Sequence, residues 1–239
     1  MTHWLDVVRA TAADLKASSP ADDAPRALIV GDPAYRAADA CDAAGLLVVR
    51  AIPPHGSAVR RFDRRADDAV VRVSPDRLPF PDGTFDLVIA QATIEFNHDD
   101  RLVVQELARV ARSGGRLVLR LPRRGPLTAV DALNLARYTR EITGRGTIPV
   151  EALPIGWRRH YHRGDLDAIL KPAAITVDRI ASGGWAIGEL AYAPMIVATR
   201  ALIPRPALAQ RLRGVYTRLG DLDEHLPGPA MWVIEATRR

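Results

Sequence analysis

Apolar residues in this chain fall into short β-branched runs separated by stretches with a three-to-four-residue period, and the two kinds of segment alternate. Ala27–Val30 is an apolar run ending at Gly31, residues 34–44 carry a helical pattern stopped by Gly45, and Leu46–Ile52 is a second run closed by Pro53 and Pro54. Residues 55–68 are polar and arginine-rich with weak periodicity, which predicts a loop and a short helix, and Ala69–Val73 is a third strand candidate. Pro81, Asp82 and Gly83 form a turn ahead of a fourth strand, Phe85–Ala90. Asp99 or Asp100 is placed to cap a helix with Leu102, Val103, Leu107 and Val110 on its apolar face. Ser113, Gly114 and Gly115 end that helix, and Arg116–Leu121 makes a fifth strand. Strands alternating with helices predict the α/β class, a parallel sheet with helices on both faces.

Beyond Pro122 the pattern changes. Residues 126–143 read as one long amphipathic helix, 144–160 as a loop, Asp165–Leu170 as a helix stopped by Pro172, and Ile175–Ile180 as a strand. Gly183–Arg213 reads as mostly helical with proline breaks at 194, 204 and 206, and Met231–Ala236 as a closing strand. The amino-terminal residues form an amphipathic helix with Trp4, Leu5, Val8 and Leu15 on one side; Asp6 and Asp14 within it do not suit a signal peptide. The most apolar run, Trp185–Ile203, is interrupted by Glu189, Pro194 and Arg200 and falls short of a membrane span.

Composition changes this picture little. With 239 residues, 48% hydrophobic and 26% charged, the chain has the material for one α/β domain with additions. The formal charge of +5 raises nucleic-acid binding as an option. Lys16 and Lys171 are the only lysines, however, and the arginines are spread along the chain without stacking aromatics between them, so nucleic acid is not expected as a partner. Cys41 is the single cysteine, which rules out an internal disulfide or a cysteine zinc cluster and suits a cytoplasmic setting; its expected place is the apolar face of the helix after Gly31.

The run LPFPDGTFD from Leu78 to Asp86, the strand Leu87–Ala90, Glu95, the helix QELARV from Gln105 to Val110 and SGGRLVL from Ser113 to Leu119 resemble the class I S-adenosylmethionine-dependent methyltransferases, specifically the type 11 group. HYHRGDLDAIL, His160 to Leu170, is similar to the segment introducing that family's late helix, and MWVIEA to its last strand. The resemblance implies one Rossmann-like domain over residues 1–239. An amino-terminal helix (1–24) would precede the core (25–122), followed by a helical lid insertion and closing strands (123–239). It further implies a seven-stranded sheet with only the last strand antiparallel.

The resemblance also implies that S-adenosylmethionine binds at the carboxyl ends of the first four strands, through three local features. The first is an acid and a glycine-rich turn after strand one. By position Ile29 replaces the acid and Gly31 is kept, with Asp32 beside it, while Pro33 and Tyr35 replace the next two glycines. The second is an acid at the end of strand two that grips the ribose hydroxyls; that position falls on Ile52, a loss of about 1.5–3 kcal/mol for charge-assisted bonds. The third, an acid after strand three that reads the adenine amine, falls on Ser74, followed by Pro75 and Asp76. Gln91, after strand four, completes the candidate cofactor residues. A shifted alignment would offer Asp32, Asp39 or Asp42 as the missing acid instead.

Candidate acid–base residues are Glu95 and the pair His160 and His162, which share one side of an extended segment. No third ligand stands at a metal-site spacing, so no metal is expected. His98 is expected to face solvent before the helix cap. Trp185, Tyr192, Met195 and Ile196 either line an apolar lid or form the core side of a helix, and an exposed apolar face there would serve a homodimer, a heteromeric partner or a membrane surface. Two functions follow. One is a methyltransferase-fold protein with degenerate cofactor motifs, acting as a partner subunit or small-ligand protein; the other is an active methyltransferase on a small, apolar molecule.

Overall fold

A computed structural model describes residues 4–31, 36–53, 69–126, 128, 131–144, 154–184 and 228–239. Helix α1 (Trp4–Ser18) leads into strand β1 (Arg26–Val30), followed by α2 (Arg36–Ala43), β2 (Leu47–Ile52), β3 (Ala69–Arg72) and β4 (Phe85–Gln91). Then come α3 (Asp100–Val110), β5 (Ala111–Pro122), α4 (Ala132–Thr143), α5 (Arg163–Leu170), β6 (Ile175–Gly183) and β7 (Met231–Arg238). The seven strands form one sheet in the order β3-β2-β1-β4-β5-β7-β6. β1 through β5 pair in parallel, and β7 runs antiparallel to both β5 and β6. The expected sheet, with one antiparallel strand, is therefore the sheet observed.

Burial explains why the inner strands read as continuous apolar runs. Alternate residues of β1 and β4 point to opposite faces, and both faces are covered. Leu28, Val30, Val88 and Ala90 pack with Val103, Leu107, Leu166 and Ile169 of α3 and α5. Ala27, Ile29, Leu87 and Ile89 pack with Trp4, Leu5, Val8, Ala37 and Cys41 of α1 and α2. Ile29, standing where an acid was expected, belongs to this second core, and Cys41 is a buried hydrophobe as expected.

The two densest motifs of the sequence are one physical unit. Arg109 of α3 donates to the carbonyls of Leu78 and Phe80 at 3.0 and 2.8 Å and to Asp82 at 2.7 Å, while Glu106 accepts from the Leu78 N–H at 2.9 Å. The QELARV helix thus clamps the LPFPDG turn and fixes where β4 enters the sheet.

Several boundaries differ from expectation, two of them for a cause visible in the structure. α4 starts at Ala132, not near residue 126, because the Asp131 side chain accepts from the N–H groups of Leu133 and Asn134 and caps it there. β5 begins at Ala111, because Ser113–Gly115 forms an irregularity within the strand, with a register shift opposite Phe85 and Leu87, and does not act as a separate turn. Asp99, not Asp100, caps α3, accepting from the Leu102 N–H at 2.9 Å. The apolar run 185–203 and the expected lid lie outside the described residues. Among the described residues no helix is long and apolar enough to cross a membrane.

Candidate functional site

The order of strands reverses between β1 and β4, and in open α/β sheets that reversal opens the ligand crevice at the carboxyl ends. Here the crevice floor is closely knit. Gly31 has φ +95°, and a Cβ built on it would lie 1.8 Å from the Gln91 carbonyl oxygen and 2.4 Å from the Thr93 hydroxyl oxygen. The Thr93 hydroxyl stands 3.1 Å from the Val30 oxygen and 3.0 Å from the Gln91 oxygen, so its one proton is shared between the ends of β1 and β4. Ala92 between them holds φ +52°, a conformation costing an L-residue about 1–2 kcal/mol. Bonds from the Thr93 N–H to Glu95 Oε2 (3.0 Å) and from Asn97 Nδ2 to the Thr93 oxygen (2.6 Å) hold the turn in place.

The cofactor candidates divide accordingly. Gly31 and Gln91 meet directly, but backbone to backbone. Ile52 is buried at the end of β2, its carbonyl taken by the Val73 N–H at 2.9 Å. Ser74 and Asp76 are exposed beyond β3, with the serine hydroxyl donating to the Asp76 carboxylate and Pro75 buried between them. Asp32, Pro33 and Tyr35 lie outside the described residues. Asp39 and Asp42 do not serve as substitutes at the crevice; they face Arg50 of β2 at 3.8 and 3.5 Å. Among the described residues, the carboxyl ends of β1 and β2 present no carboxylate: they consist of Val30, Gly31, Ala51, Ile52 and Pro53.

Beside the crevice lies a buried polar cluster that joins two of the three acid–base candidates. The segment 158–162 runs along the end of β5, with Tyr161 N–H donating to the Pro122 oxygen and Arg124 N–H to the Tyr161 oxygen, both at 2.9 Å. Tyr161 turns into the core, its hydroxyl 3.2 Å from Asp100. His160 points the other way, with Nε2 3.2 Å from Asp131, and its side chain is only 7% exposed. Arg158 donates through Nε to the same carboxylate oxygen at 2.6 Å. Glu95 is fully buried on a single 3-10 turn after β4, where the Arg158 charge reaches its carboxyl and its backbone oxygen accepts from the Arg159 N–H at 3.1 Å.

His162 does not join this cluster. The chain turns into α5 there, leaving it exposed while its N–H donates to Asp165 at 2.7 Å, so the expected histidine pair is split between interior and solvent. His98 is exposed, as expected. Asp131 and Arg158 were not singled out by the sequence, although an aspartate ahead of a helical period is a capping signal that was available.

The cluster sets its two carboxyl groups apart. Burial raises the Glu95 carboxyl above its ordinary range, outweighing backbone bonds and the Arg158 charge that favour ionisation. Burial acts likewise on Asp131, but there the Arg158 charge and the bond from His160 prevail and lower it to about 2. Oppositely shifted carboxyls can divide the roles of proton donor and fixed anion. A testable consequence concerns Glu95. A carboxyl raised on folding contributes stability that is complete below its unfolded value of 4.5 and is lost as the pH climbs through its folded value. Glu95→Gln is therefore expected to match the parent in thermal unfolding near pH 4 and to melt higher at pH 7. A variant melting lower at pH 7 contradicts that burial dominates.

Residues 33–119 match the family described as methyltransferase domain. The match begins at Pro33, beyond β1 and Gly31. Over 96 residues the chain is 38% identical to 27-O-demethylrifamycin SV methyltransferase of Amycolatopsis mediterranei (strain S699), a stretch covering 37% of this chain and 34% of that enzyme. The matched part thus amounts to about a third of that relative's length. Among solved structures, an S-adenosylmethionine-dependent methyltransferase from Mesorhizobium loti is similar over 98% of this chain and 100% of its own, at 14% identity and a TM-score of 0.51. The [4+2]-cyclase SpnF is similar over 97% and 80%, at 17% identity and a TM-score of 0.52.

Proposed function

We propose that this chain, which has the class I methyltransferase fold and the methyltransferase-domain family's sequence over residues 33–119, does not hold S-adenosylmethionine in that family's manner. It serves instead as a small-ligand protein or as a partner subunit. One observation carries the reading: the crevice where the order of strands reverses is drawn together by the Thr93 hydroxyl, and the space a glycine leaves free is filled by the Gln91 carbonyl. A cofactor's methionine end needs backbone approach at that point, and its ribose needs an acid at the end of β2, where Ile52 is buried. Alkyl groups at Ile29 and Ile52, and the lack of a carboxylate among the described residues at the ends of β1 and β2, support this reading. Loss of two charge-assisted contacts costs about 3–6 kcal/mol, two to four decades of affinity. The [4+2]-cyclase among the structural neighbours supports separating fold from methyl transfer.

A second reading, an active methyltransferase on a small acceptor, is favoured by the Glu95 and Asp131 carboxyls with their opposite shifts. Thermal unfolding with S-adenosylhomocysteine separates the two. A ligand at about 1,000 times its dissociation constant stabilises its protein by about 4.1 kcal/mol, so a micromolar site would raise the melting temperature by several degrees at millimolar ligand. A rise less than half that size, or none, is expected here. The full dose-dependent rise would favour the enzyme.

A further inference from the structure

We infer that the cleft between α4 and the 155–157 loop is a binding site for an amphipathic anion, a molecule with one carboxylate, phosphate or sulfonate head on a planar apolar body. The cleft has a volume of about 590 Å³ and is lined by Arg137, Arg140, Glu141, Ile155, Gly156 and Trp157. That volume lies in the range of small-molecule sites. The inference concerns a place other than the crevice between β1 and β4 and does not depend on how that crevice is used.

The backbones of the two walls are tied together before any ligand arrives. Arg137, Arg140 and Glu141 stand at i, i+3 and i+4 and so share one face of α4. The opposite wall is fastened to the same helix by Asn134, whose side chain donates to the Arg158 oxygen at 3.0 Å and accepts from the Arg158 N–H at 2.7 Å. Arg158 is further bound to Asp131, the cap of α4. Gly156 bends the loop with φ +80°, and a Cβ there would meet open space. Preorganised walls reduce the ordering cost of binding.

Charge and surface decide the class of ligand. Glu141 is taken by Arg137, with Nε 2.6 Å from its carboxylate. Among the described residues no carboxylate pairs with Arg140, which is exposed, so the described lining carries one uncompensated guanidinium. That group is a fork donor suited to a carboxylate, phosphate or sulfonate. Trp157 and Ile155, both part-exposed, supply the apolar counterpart, and an indole face takes a planar body well. A cation would meet net positive charge, and a purely apolar molecule would leave Arg140 unused. Arg140 also suits the negative end of its helix dipole, a role that needs no ligand; the test must therefore read binding and stability separately.

Calorimetric titration of the full chain with 1-naphthyl phosphate supplies that test, with 1-naphthol and inorganic phosphate run alongside. Saturable one-to-one binding is expected, at least about tenfold weaker for either fragment, the size of one charge-assisted bond. Arg140→Gln and Trp157→Leu are each expected to weaken binding of the probe by about tenfold or more, with the melting temperature of the free protein nearly unchanged. Absence of saturable binding at several millimolar overturns the inference. So does binding that survives both substitutions, or 1-naphthol binding as tightly as its phosphate. A loss of binding accompanied by a fall in melting temperature of the Arg140→Gln chain would assign that residue to the helix end instead, provided Trp157→Leu binds normally.

Discussion

Gly31→Ala is expected to destabilise the protein in the absence of any ligand by about 2–5 kcal/mol. An L-residue held at positive φ costs about 1–2 kcal/mol, and forcing a methyl into a filled space costs about 1–3 kcal/mol more. The added carbon would meet the Gln91 oxygen at 1.8 Å and the Thr93 hydroxyl oxygen at 2.4 Å, so β1 and the end of β4 must separate to admit it. For a chain of this size that corresponds to a fall in melting temperature of roughly 5–15 °C. Combining Gly31→Ala with Thr93→Ala should recover only part of the loss, because the hydroxyl is removed while the carbonyl of Gln91 remains. A glycine kept only for a cofactor's approach would behave otherwise: its alanine variant would lose, without ligand, no more than the conformational cost of about 1–2 kcal/mol.

Asp131→Ala carries the other large effect. One carboxylate accepts the two N–H groups that begin α4, at 3.0 and 2.9 Å, and anchors Arg158 and His160 at the edge of the crevice. Removing it takes away the carboxylate that the largely buried Arg158 guanidinium bonds, a change costing up to about 3–5 kcal/mol, and deletes a helix cap worth about 1 kcal/mol. Asp131→Asn keeps an acceptor for the cap and should lose less. The pH dependence has a definite sign. Against burial, which would raise it, the Arg158 charge and the His160 bond hold the folded carboxyl near 2. Its contribution is complete above the unfolded value of 3.8 and disappears as the pH falls toward 2. The gap in melting temperature between Asp131→Ala and the parent should accordingly be full at pH 6 and narrow below pH 4. A gap independent of pH would mean that the carboxylate's charge is not what matters.

Much of this architecture is legible in the chain because its causes are local or periodic. β1 and β4 announce themselves as apolar runs since both of their faces are buried, and the turn at Pro81–Gly83 with the helix that follows is visible from residue type alone. α4 starts later than its periodicity predicts because apolar periodicity continues ahead of Asp131, while the side-chain cap decides where helical bonding begins. Ser113–Gly115 looked like a stop and is a strand irregularity, a distinction set by pairing across the sheet. The candidate site was legible in halves. Glu95 and His160 could be proposed singly, yet Asp131 and Arg158 lie 27 residues apart, and only the path of the 158–162 segment along β5 joins them. The grip of Thr93 on Val30 spans 63 residues and has no signature in spacing at all. Departures at Ile29 and Ile52, by contrast, could be read directly, since an alkyl group cannot accept a hydrogen bond.

The central claim, that this fold no longer grips the family's cofactor, is tested most directly by calorimetric titration of the purified full chain with S-adenosylmethionine and S-adenosylhomocysteine. The expected result for either ligand is a dissociation constant no lower than about 100 µM, as a loss of two to four decades from a micromolar site requires. Saturable one-to-one binding of either ligand with a low micromolar dissociation constant would contradict it.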